Sequence, residues 1–93
     1  MAYTIIATLK IKPNKLEEAK RTLKNFASWV KDNEVGTTYY FAHKVKGENK
    51  LLVYEKYKDT AAFDVHRSNF DKKAKGLLEL VEGEIEVTTL ADI

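Results

Sequence analysis

An α+β fold is predicted, with two helical regions set among four strands in the order β-α-β-β-α-β. Three observations carry this. Strict period-two alternation marks the strand segments, as in Tyr3–Lys12. A stripe of apolar residues at spacings of three and four follows Asn14. Finally, the short connection Gly47–Lys50 joins two alternating segments as a hairpin. This order is the ferredoxin-like plan, in which both helices cover one face of a four-stranded antiparallel sheet.

The elements follow in order. In Tyr3–Lys12, residues Tyr3, Ile5, Ala7, Leu9 and Ile11 take one face, and Thr4, Ile6 and Thr8 the other. Pro13 stops the strand because it cannot donate to a ladder. Asn14 is expected to start the first helix, with Glu17 completing a capping box. Leu16, Ala19, Leu23, Phe26, Ala27 and Val30 form its apolar stripe, with Trp29 at the edge. Gly36 stands where a left-handed residue would close the helix.

Thr37–Lys46 reads as the second strand, with Thr37, Tyr39, Phe41, His43 and Val45 on one face and Thr38, Tyr40 and Ala42 on the other. Leu51–Lys58 is the third strand; Leu51, Val53, Glu55 and Tyr57 share a face. Asp59 caps the next helix. That helical region runs from Thr60 to about Val81, with a break expected at Ser68–Asn69, and Glu84–Leu90 is the last strand.

The chain of 93 residues is expected to be a single domain, residues 1–93, large enough for one modest core. Its net charge of +2 comes from lysines spread along the chain, so nucleic acid is not an expected partner. There is no cysteine, which excludes disulfides and thiolate chemistry. No apolar run reaches membrane-spanning length, so no membrane partner is expected and the cytoplasm is the default location.

Placing Ile5, Ala7 and Leu9 under the helices leaves Thr4, Ile6, Thr8, Thr38, Tyr40, Ala42, Leu52 and Tyr54 on the far face of the sheet. That face is too apolar to be left to water, and no element of the chain remains to cover it. A homodimer is therefore expected, sheet against sheet about a two-fold axis.

The stretch Glu55-x-Tyr57-x-Asp59-x-x-Ala62-x-x-x-His66-x-Ser68 resembles the hallmark of the antibiotic biosynthesis monooxygenase (ABM) family. Its usual form is a glutamate, an aromatic residue, an aspartate, and then a histidine on the second helix. Gly36 before a tyrosine-bearing strand is also similar, although Val35 stands where that family often has proline. The resemblance implies a dimeric α/β barrel. It also implies a choice of chemistries: cofactor-free quinol and polyketide monooxygenases, haem-degrading enzymes and a sugar-phosphate isomerase. The haem-degrading pattern has an asparagine on the first strand and a tryptophan in the second helical region. Both are missing here, which disfavours haem cleavage.

No metal or organic cofactor is expected. His43 and His66 are the only histidines and lie on different elements, and the glycines match no nucleotide-binding loop. A phenol or quinol can itself reduce oxygen once deprotonated, so the protein need supply only a base and an apolar pocket. His66 is the candidate base, because imidazole titrates near neutral pH. Glu55 is the candidate that orients it. Tyr39, Phe41, Tyr57, Phe63 and Phe70 are candidate walls for a small aromatic substrate. The alternative is a non-catalytic ligand-binding barrel, with His66 a core histidine and the aromatic residues ordinary core.

Overall fold

A computed structural model describes residues 2–93. β1 (Tyr3–Lys10), α1 (Leu16–Asn33), β2 (Thr37–Lys44), β3 (Lys50–Tyr57), α2 (Thr60–Lys73), a single turn α3 (Lys75–Leu78) and β4 (Glu86–Leu90) follow one another. The strands form one antiparallel sheet in the order β2-β3-β1-β4, which is the ferredoxin-like arrangement. The sheet is open at both edges. No helix among the described residues is long and apolar enough to cross a membrane.

The core lies between the helices and one sheet face. Ala19, Leu23, Phe26 and Val30, the stripe of α1, are buried against Ala7, Leu9, Leu51 and Val53. Burying a side chain the size of Leu23 contributes about 1.5–3 kcal/mol, so this stripe, more than helix propensity, holds α1 in place. Leu77, Leu80 and Val81 close the end of the core. Their segment is tied to β1 by backbone bonds from Lys12 to Leu80 and from Glu82 to Lys10.

Four local expectations are corrected. Asn14 does not cap α1: it is left-handed (φ 64°) and lies two residues before Leu16, with Lys15 at the cap position, and the helix starts without a side-chain cap. Asparagine tolerates that conformation better than most residues. Gly36 is not left-handed; its role is a close approach to α2, where a Cβ would stand 2.6 Å from the Cβ of Ala62. The second helical region runs unbroken through Ser68–Asn69 and stops at Ala74. Within that unbroken helix the Asn69 amide donates to Glu34 (3.0 Å).

The fourth correction matters most. Between Thr37 and Tyr39 the β2–β3 register slips by one residue, with Thr38 as the extra residue. The Thr38 hydroxyl donates to the Lys56 carbonyl (3.0 Å). A one-residue slip moves every later side chain to the other face. Tyr40 therefore pairs with Glu55 and Ala42 with Val53, under the helices, while Tyr39, Phe41 and His43 join Lys56, Tyr54 and Leu52 on the far face. The sequence pattern alone places them the other way round. On that far face Tyr39 packs on Phe41 (4.4 Å between ring centres) and Tyr54 (5.2 Å).

Candidate functional site

α2 begins at Asp59, whose carboxylate accepts from the Ala62 N–H at 2.8 Å, as the sequence predicts. One turn after Ala62, His66 points between helix and sheet and is 5 % exposed. Its ring lies among Tyr40, Tyr57 and Phe26, with centroids 5.0, 5.3 and 5.6 Å away.

The two ring nitrogens face different carboxylates. Nδ1 is 2.9 and 3.2 Å from the two oxygens of Glu34. Nε2 is 3.7 Å from Oε1 of Glu55, close enough for an ion pair but too long for a hydrogen bond. Glu34 is the residue that closes α1, its N–H bonded to the Val30 carbonyl. Its buried carboxylate also accepts from the Thr37 hydroxyl (2.6 Å) and the Asn69 amide (3.0 Å). Asn69 lies three residues beyond His66, so one face of α2 presents both donors. Glu55 accepts from the Tyr57 hydroxyl, two residues along the same strand face.

These environments pull the two carboxyls apart. Burial pushes Glu34 upward, but hydrogen bonds from His66, Thr37 and Asn69 and the charge of His66 outweigh it, leaving its pKa below the ordinary value. Burial also pushes Glu55 upward and there prevails, against the hydrogen bond from Tyr57 and the charge of His66. The Tyr40 and Tyr57 phenols are raised as well, by burial and then by Glu55.

His66, Glu55 and Tyr40 form the polar end of a cavity of about 250 Å³. Ile5, Ala7, Leu9, Leu23, Val53, Phe63 and Phe70 make its apolar walls; Ile85 and Val87 line the β4 side, and Arg67 and Asp71 also border it. Val87 is half exposed.

Of the residues singled out in the sequence, His66, Glu55, Phe63 and Phe70 meet at this cavity. Tyr57, expected as a wall, is not part of the lining; it is fully buried and donates to Glu55. Tyr39 and Phe41 do not reach it; they stand on the far face of the sheet because of the Thr38 bulge. Tyr40 takes the place expected of them. Glu34 is absent from the sequence reading, as is Asn69 as its partner. A signal for Glu34 does exist: it falls four residues after Val30, continuing the buried stripe of α1 as a carboxylate, and a buried carboxylate requires a partner.

The model of the antibiotic biosynthesis monooxygenase family matches residues 2–83. The chain belongs to this family. Structures related to this ABM chain include candidate antibiotic biosynthesis monooxygenases from Bacteroides thetaiotaomicron and Caulobacter crescentus. Each is 25% identical with a TM-score of 0.88, over 99% of this chain and 90% of the other. Protein Rv0793 of Mycobacterium tuberculosis also has a TM-score of 0.88 at 21% identity, over 100% of this chain and 96% of the other, a likeness of fold. A comparison with curated proteins finds no match.

Proposed function

We propose that this ABM-family protein is a monooxygenase of small quinols or related phenols, with His66 as the proton acceptor. The observation that carries the reading is a buried imidazole beside Glu55 and Tyr40 in a cavity whose remaining walls are mostly apolar, with Arg67 and Asp71 at its border. A phenolic ring would lie between Phe63 and Phe70 with its hydroxyl toward Nε2. A 150 Å³ apolar cavity accepts benzene, so about 250 Å³ suits one substituted ring or two fused rings. Three fused rings would protrude from it.

His66 takes the hydroxyl proton. The quinolate passes an electron to dioxygen, and the radical pair joins to form a carbon–oxygen bond on the ring. The imidazolium returns its proton to the distal oxygen. Loss of the ring C–H proton then breaks the O–O bond, and the departing hydroxide takes up that proton as water. Quinol plus dioxygen thus gives hydroxyquinone plus water.

The test is oxygen uptake by purified protein with a benzoquinol or naphthoquinol, after subtraction of the protein-free rate. His66→Ala is expected to lower turnover by about 100-fold or more. Absence of turnover, or full turnover in the variant, overturns the reading. The pairing of His66 with Glu55 also favours a second reading, isomerisation by proton transfer; product formation without oxygen uptake would select it.

We further propose that the protein acts as a homodimer built on the far face of the sheet. Ile6, Tyr39, Phe41, Leu52, Tyr54 and Leu90 gather there, with Tyr39, Phe41 and Leu90 exposed. No element of the chain covers that face among the described residues. Two sheets facing each other would complete the dimeric barrel that the family resemblance implies.

A further inference from the structure

We infer that Glu34 is the positioning residue of the site, holding the His66 proton on Nδ1 and leaving Nε2 as the bare acceptor edge. This rests on the reading of His66 as proton acceptor. Glu34 stands outside the cavity lining and acts only through the ring.

The donors around Glu34 identify its state. Thr37 and Asn69 each direct a hydrogen toward it, and the third neighbour is Nδ1, within hydrogen-bond distance of both oxygens. An ionised carboxylate only accepts, so the nitrogen facing it must carry a hydrogen. A neutral imidazole has one N–H, and this contact spends it on Nδ1. The lowered pKa of Glu34 agrees with that state.

The other groups facing the ring do not compete. Glu55 and Tyr57 approach from β3 and Tyr40 from β2, while Phe26 of α1 is apolar. Oε1 of Glu55 is occupied by the Tyr57 hydroxyl, and at 3.7 Å it does not hold a proton on Nε2. The role that the sequence gives to Glu55 therefore passes to Glu34. The positive charge that forms on protonation arises directly against Glu34, and Glu55 is left as a buried acid beside the cavity.

The experiment is 15N NMR of histidine-labelled protein, recorded without substrate, so that it decides the role of Glu34 whatever the oxygen-uptake result. The His43→Gln background removes the only other histidine. In the neutral ring, Nδ1 is expected to show the protonated shift and Nε2 the unprotonated one. Glu34→Gln, whose amide both donates and accepts, is expected to give a mixture of tautomers, whereas Glu55→Gln leaves Nδ1 protonated. A neutral ring protonated on Nε2, a Glu55→Gln variant that moves the proton, or a Glu34→Gln variant that leaves it wholly on Nδ1 overturns the inference. Should Glu34→Gln fail to fold, the parent and Glu55→Gln spectra decide.

Discussion

The Cβ that Gly36 lacks would stand 2.6 Å from the Cβ of Ala62. Gly36 follows Glu34 by two residues, and Ala62 precedes His66 by one helical turn, so this contact sets how closely the acid and the ring approach. Gly36→Ala is expected to cost about 1–3 kcal/mol, read as a lower urea midpoint, because the backbone must yield. Adding Ala62→Gly should return part of that cost, although glycine in α2 by itself costs about 1 kcal/mol. Strictly additive effects in the double variant would show that the two positions do not press on each other.

The two carboxylates predict opposite pH dependences. Folding lowers the pKa of Glu34, so its contribution to stability is present above the ordinary carboxylate range and is lost as pH falls through the lowered value. Folding raises the pKa of Glu55, so its contribution is present below that range and is lost as pH rises through the raised value. Urea midpoints measured across pH should show a shallower acid-side decline in Glu34→Gln. In Glu55→Gln the acid side should persist and the decline toward higher pH should flatten. Parallel profiles in both variants would contradict the assignment.

Self-association is tested on the far face of the sheet. Tyr54 lies there beside Tyr39 and opposite Phe41. Tyr54→Glu would place a charge between two facing sheets, where the nearby Lys56 and His43 only partly offset its desolvation, weakening the dimer by about 1.4 kcal/mol or more, roughly tenfold in Kd. Sedimentation velocity should show a dimer for the parent chain and a folded single subunit for the variant. A parent chain that sediments as a single subunit at micromolar concentration rules out the dimer.

Much of the site was legible because local chemistry determines it. Asp59 caps α2 through its own side chain, and the spacing Ala62, His66, Phe70 places the imidazole and an aromatic wall on one helix face whatever lies opposite. Glu55 and Tyr57 share a strand face by simple alternation, and their hydroxyl–carboxylate bond follows from it. Alternation alone puts Tyr39 and Phe41 on the wrong face because it cannot register an inserted residue: Thr38 adds one, and only the pairing with β3 reveals it.

From its order of alternating and striped segments, the chain by itself determines a four-stranded sheet covered by helices, a histidine on the second helix facing that sheet, and an apolar far face. Those features depend on periodicity and on residues close in sequence. The partner of His66 depends on tertiary structure, because Glu34 and His66 are 32 positions apart and meet only when α1 ends against α2. The face taken by Tyr40 depends on it too, because strand register is a property of two strands together.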